Sequence, residues 1–118
     1  MATVELNELT IAAAVKDAPV LLVDFWAKWC GPCQRFGPIF EAASVRHPEV
    51  VFGKVDTDAN QGLAMDLEVQ AIPTLMAFKN GTLVFRQPGV LNSAQLDDLI
   101  ERINQLELPA DEAPEDFD

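Results

Sequence analysis

The chain has 118 residues, 49% of them hydrophobic, which suits one domain whose core needs no disulfide or metal to hold it together. Its net charge is −11 at pH 7, whereas a nucleic-acid surface needs clustered Lys and Arg, so we exclude nucleic acid as a partner. Six of the 19 acids fall in residues 107–118, which hold two prolines and no base. We therefore interpret residues 1–107 as the domain and residues 108–118 as an acidic, disordered tail.

The first eight residues contain acids where a secretory signal needs bases, and no apolar run long enough to span a bilayer follows. We expect a cytoplasmic protein with no membrane association, and we expect a monomer. The chain has two cysteines, three positions apart. In a reducing compartment this spacing favours catalysis or metal binding over a structural disulfide framework.

The first half of the chain predicts two helices around one buried strand. Apolar positions between residues 9 and 15 indicate a short helix that Asn7 could cap, and the apolar run 20–26 indicates a strand covered on both faces. After Cys33, the spacing of Phe36, Phe40 and Ala43 is helical. Pro38 should kink that helix.

The second half predicts a strand over residues 50–55, parallel to the first because a helix connects them, then a short helix over residues 60–67. Residues 74–79 and 82–86 form a hairpin through Asn80 and Gly81. Asn92 and Gln95 form a capping box before an amphipathic helix that runs to Leu106. The order predicts an α/β fold, with a central mixed sheet and helices on both faces.

The run Trp29-Cys30-Gly31-Pro32-Cys33 lies between the buried strand and the following helix. A helix N-terminus stabilises a thiolate, and Cys30 lies where that effect is greatest, while Cys33 is one turn further on and more sheltered. The pair could be a redox dithiol, half of a zinc site, or two core cysteines. Zinc normally takes four ligands, and the sequence adds only His47, so we expect no metal and favour a redox dithiol.

Residues 23–33 resemble the signature of the thioredoxin family. Further similarities follow in order, and the resemblance covers residues 4 to 106; they are Pro38, Lys54 before Val55-Asp56, Ile72-Pro73-Thr74, Phe78-Lys79-Asn80-Gly81 and Gly89. The resemblance implies the thioredoxin fold and a protein disulfide reductase. Cys30 would attack the disulfide of an oxidised target protein and Cys33 would resolve the mixed disulfide. A thioredoxin reductase would restore the dithiol, and no cofactor beyond the Cys30–Cys33 disulfide is implied.

Asp24 is an acid inside the apolar strand, six residues before Cys30. Burial disfavours its charged form, which makes it a candidate proton acceptor and donor for Cys33. The alternative is that Asp24 points into a loop or is paired for structure alone. Lys54 resembles a family lysine that lies near this acid, and its alternative is an exposed lysine at a strand end.

The resemblance also implies a flat docking surface for an extended target segment beside the cysteines. Its residues would be Trp29, Gly31, Pro32, Ile72, Pro73, Thr74 and Gly89. Pro73 matches a proline that the family holds in the cis form, which would expose backbone for strand addition.

Two other functions remain open. The chain could be a non-catalytic binding module that docks a partner on the same surface, or a disulfide oxidase or isomerase of an oxidising compartment. Retention of Cys30, Cys33, Asp24 and Pro73 argues against the first. The Gly31-Pro32 pair and the lack of a signal sequence argue against the second.

Overall fold

The computed structural model describes residues 2–107, so the predicted tail at 108–118 lies outside the described residues. The elements in chain order are β1 (Thr3–Glu5), α1 (Ile11–Asp17), β2 (Val20–Trp26), α2 (Gly31–Arg46), β3 (Val51–Asp56), α3 (Gln61–Asp66), β4 (Thr74–Lys79), β5 (Thr82–Pro88) and α4 (Ser93–Gln105). Within this range no helix has the length and the apolar character needed to cross a bilayer.

The strands form one five-stranded sheet in the order β1-β3-β2-β4-β5. β1, β3 and β2 are parallel, β4 runs antiparallel to β2, and β5 runs antiparallel to β4. The predicted α/β fold with a mixed sheet is confirmed.

Two apolar cores cover the two faces of the sheet, and alternate residues of β2 contribute to each. Val20 and Leu22 pack with Phe40 of α2 and Ile100 of α4. Leu21, Val23 and Phe25 pack on the opposite face, where α1 and α3 contribute Ile11 and Leu63. The helices therefore lie on both faces, as predicted, and both layers cover the central strand β2.

Several local predictions are confirmed. The hairpin turns at Asn80 and Gly81, which have φ values of 50° and 84°. These left-handed values are those a tight hairpin turn requires. Asn92 and Gln95 form the predicted capping box at the start of α4. Pro38 lies inside α2, which continues past it to Arg46; the kink stays a prediction.

The N-terminal region differs from its prediction in two ways. β1 was not predicted, because its three residues include one apolar side chain, Val4, and it is held at the sheet edge by pairing with β3. The Asn7 side chain does not cap α1. It accepts hydrogen bonds from the backbone of Leu9 and Thr10 at 2.8 and 3.1 Å, so it closes a turn before the helix. Leu9, the first of the apolar positions that indicated this helix, lies before the helix and is 91% exposed.

Candidate active site

Cys30 and Cys33 form a disulfide at the start of α2, with their Cα atoms 5.2 Å apart. β2 ends at Trp26, and a short turn brings Cys30 to the N-cap position of the helix. There its Sγ accepts a hydrogen bond from the backbone N–H of Cys33 at 3.2 Å. Pro32 lies in the first turn, where its missing N–H costs no helical hydrogen bond. The local sequence thus places one sulfur on the free amides of a helix start.

The two cysteines do not differ in exposure. Cys30 is 4% exposed and Cys33 is 5% exposed, so the prediction that Cys33 is the more sheltered residue is wrong for this disulfide form. Their surroundings differ instead in hydrogen bonding, because the hydrogen bond from the backbone N–H of Cys33 is made to the sulfur of Cys30. A thiolate at Cys30 would receive the same N–H donor together with the positive end of the helix dipole.

The Ile72–Pro73 bond is cis, and it brings the backbone before β4 against the disulfide. The carbonyl oxygen of Ile72 lies 3.6 Å from the Sγ of Cys30. On the far side of β4, the backbone N–H of Gly89 donates to the carbonyl oxygen of Pro73 at 2.8 Å. Gly89 has φ of +101°, a value that L side chains rarely adopt, so this corner of the site needs glycine.

The structure brings the predicted docking residues to one side of the molecule but does not expose all of them. Trp29 is 72% exposed, and Gly31, Pro32 and Gly89 are exposed too. Ile72 is half-buried, whereas Pro73 and Thr74 are buried. The Thr74 hydroxyl donates to the carbonyl oxygen of Ala71. Pro73 and Thr74 therefore shape the surface through their backbone, because their side chains are covered.

Asp58 belongs to this surface, although the sequence analysis did not select it. It follows β3, and its carboxylate accepts a hydrogen bond from the indole nitrogen of Trp29 at 3.0 Å. The sequence does contain a signal that could have identified Asp58. Residues just after neighbouring parallel strands meet at the same edge of the sheet, and Asp58 follows β3 as Trp29 follows β2. The bond fixes the most exposed aromatic ring of the site.

Asp24 is 1% exposed and points from β2 toward the α2 side of the sheet. One of its carboxyl oxygens has no hydrogen-bond partner among the described residues. Burial raises the pKa of Asp24 to about 7, although the positive charge of Lys54 opposes that rise. The group therefore gains and loses its proton near neutral pH.

Lys54 is the register partner of Asp24 on β3, so both side chains lie on the same face of the sheet. It is half-buried in the middle of the strand, not exposed at its end. Its Nζ lies 5.1 Å from the centre of the Trp26 ring and 3.8 Å from the position that a Cβ on Gly37 would take. Since Gly37 follows Cys33 by four residues on α2, the Asp24–Lys54 pair lies under the helix face that carries Cys33.

Comparisons of the chain with known protein families, individual proteins and solved structures all indicate the same family. The family described as Thioredoxin matches residues 2–102. A Streptomyces coelicolor protein that carries the name thioredoxin 2 is 45% identical over 106 residues, which cover 90% of this chain and 79% of that one. Thioredoxin C-3 of Corynebacterium nephridii is 39% identical, over 84% of this chain and 69% of that one.

Among solved structures, a mutant thioredoxin from Halobacterium salinarum NRC-1 superposes with a TM-score of 0.80 at 34% identity. The superposition covers 91% of this chain and 93% of that one. Because the family match spans most of the chain and includes both cysteines of the disulfide, the chain belongs to the thioredoxin family of disulfide oxidoreductases.

Proposed function

We propose that this oxidoreductase works as a protein disulfide reductase in the cytoplasm, with oxidised proteins as substrates and a thioredoxin reductase as electron donor. The observation that carries the proposal is the placement of Cys30, at a helix start and against the carbonyl of Ile72. A thiolate there is stabilised, and the adjacent backbone can hold an extended segment on either side of a target disulfide.

The reaction proceeds by two exchanges. The Cys30 thiolate attacks one sulfur of the target disulfide, forms a mixed disulfide and releases the other target sulfur as a thiolate. The Cys33 thiolate then attacks the Cys30 sulfur, which forms the Cys30–Cys33 disulfide and releases the second target sulfur. Two electrons pass to the target, and two protons complete its thiols. The reductase reverses the change on this chain.

We assign Asp24 the proton transfer for Cys33. A group with a pKa near 7 can accept the Cys33 proton and return it without a large energetic cost in either direction. Lys54 would limit the rise in the pKa of Asp24, because its positive charge favours the ionised carboxylate. Trp29, Gly31, Pro32, Ile72 and Gly89 would provide the docking surface, with Pro73 and Thr74 acting through their backbone.

The assignment of Cys30 as nucleophile predicts selective alkylation. When the reduced protein is treated with limiting iodoacetamide at pH 7, peptide mapping should find the label mainly on Cys30, since its thiolate is stabilised by the Cys33 amide. Cys33→Ser should accumulate mixed disulfides with target proteins through Cys30, and Cys30→Ser should not. Preferential labelling of Cys33 would reverse the two roles.

The buried Asp24 predicts a stability that depends on pH. Its folded pKa is about 7 against an unfolded value near 3.8, so the folded state binds more protons between these values and stability falls as pH rises through them. At pH 7 this cost is on the order of 4 kcal/mol. Asp24→Asn should therefore stabilise the protein at pH 7, and the gain should vanish toward pH 4, as measured by denaturant melts.

The same variant should slow the second exchange while leaving the alkylation rate of Cys30 little changed. Asp98→Asn, at an exposed acid on α4 that pairs with Arg102, is the matched control. It should leave the exchange rate unchanged and should lower stability by no more than about 0.5 kcal/mol, the usual contribution of an exposed helix ion pair. If Asp24→Asn destabilises the protein at pH 7 and leaves exchange untouched, Asp24 is a structural residue.

A coupled assay tests the direction of the reaction. With NADPH, a bacterial thioredoxin reductase and insulin, the chain should drive NADPH oxidation and insulin reduction, and Cys30→Ser should abolish both. As a check for the oxidase or isomerase alternative, the disulfide form should oxidise a reduced, unfolded protein slowly. Suppose that the disulfide form oxidises the unfolded protein efficiently, and that the chain fails to reduce insulin even when dithiothreitol has first reduced the Cys30–Cys33 disulfide. The oxidase or isomerase alternative would then replace the proposal.

A further inference from the structure

A groove of about 340 Å³ lies beside α3, outside the predicted docking surface. We call it the α3 groove. Its lining residues include the apolar Ala64, Met65 and Val69 and the polar Glu68 and Gln70. The Met65 side chain is 75% exposed, although it is large and apolar. An unbranched thioether at a surface groove suits contact with the stem of another side chain.

The α3 groove adjoins the active site on two sides. On one side, Thr57 lines it and donates its backbone N–H to the Trp26 carbonyl at 2.9 Å. The next residue, Asp58, holds the Trp29 indole. On the other side, Gln70 lies two residues before Ile72, a separation of at most about 7 Å along the chain. A target segment held at Ile72 can therefore place a side chain two or three residues from its cysteine in this groove.

Glu68 supplies the charge of the groove, since it is the one ionisable side chain among the described lining residues. Its backbone has φ of 56°, which is uncommon for a residue other than glycine. Arg86 of β5 holds that conformation by donating to the carbonyl oxygens of Leu67, at 2.8 Å, and of Glu68. The guanidinium is thus occupied by backbone carbonyls and is not among the groove's lining residues.

We propose that the α3 groove binds a lysine or arginine side chain of the target protein, two or three residues from the target's disulfide cysteine. The aliphatic stem packs on Met65 and Val69, and the cationic head pairs with Glu68. Charge complementarity selects this occupant, because the groove combines an apolar floor with one carboxylate in a chain of net charge −11. The inference rests on the proposed function and names a preference among its substrates.

Matched disulfide peptides test this preference. Three peptides are identical except at the second and third residues from the cysteine. Both of these positions carry Arg in the first peptide, Gln in the second and Glu in the third. The unsubstituted protein should reduce the Arg peptide with a kcat/KM about two- to fivefold above that of the Gln peptide, as a partly exposed ion pair allows. Glu68→Gln should remove this ratio, and Glu68→Lys should reverse it in favour of the Glu peptide.

Asp66→Asn is the control, because Asp66 is an exposed acid on α3 that does not line the groove. Asp66→Asn changes the net charge by the same amount as Glu68→Gln, and it should keep the ratio of kcat/KM between the Arg and Gln peptides. An equal loss of the ratio in Asp66→Asn and Glu68→Gln, or no ratio in the unsubstituted protein, would overturn the α3 groove as the binding site. An aromatic disulfide without a peptide should be reduced at one rate by all variants. Failure of the unsubstituted protein to reduce it would instead overturn the proposed function, and this inference with it.

Discussion

Burial of β2 on both faces is the constraint on which the site depends. Leu21, Leu22, Val23 and Phe25 are fully buried, and each contributes about 1.5–3 kcal/mol by leaving water. These side chains fix the register of β2 against its two neighbours, β3 and β4. A slip of one residue would exchange the two faces and move Asp24 to the α1 and α3 side, away from the cysteines.

The chemistry of the site follows from where β2 ends and what covers it. The strand delivers the chain to the start of α2, so Cys30 lies at the free backbone amides of the helix start. The same layer of α2 that covers Val20 and Leu22 also covers Asp24, which raises the pKa of that carboxyl into the range in which thiols exchange protons. Stability and reactivity are therefore coupled through one strand, since the burial that holds the fold also keeps an acid away from water.

The sequence predicted the elements whose signals are local and strong. The apolar run of β2, the helical spacing from Phe36 to Ala43, the Asn80-Gly81 turn and the Asn92 capping box depend on residues close together in the chain, and the structure contains each of them. β1 depends on pairing with β3, almost 50 residues away, and three residues carry no periodicity that could reveal it. Leu9 was misplaced because Asn7 is closed into its own turn, which delays the start of α1.

Within the site, the sequence identified the residue types but not their surroundings. The family resemblance selected Pro73 and Thr74 for docking, yet both are buried. Thr74 lies in β4 between Phe25 of β2 and Pro88 of β5, and a linear motif does not describe these pairings. Asp58 was not found because its role depends on a contact with Trp29, 29 positions earlier in the chain. The α3 groove is lined by residues between 57 and 70, where the sequence pattern indicates a short helix but not the cavity beside it.

The midpoint potential of the Cys30–Cys33 couple tests the central claim most directly. The protein would be equilibrated with dithiothreitol redox buffers at pH 7, and the fraction of dithiol measured by trapping free thiols. A reductant of the thioredoxin type should have a potential of about −270 mV. A value between about −180 and −120 mV, where disulfide isomerases and oxidases lie, would contradict the account of this chain as a reductase.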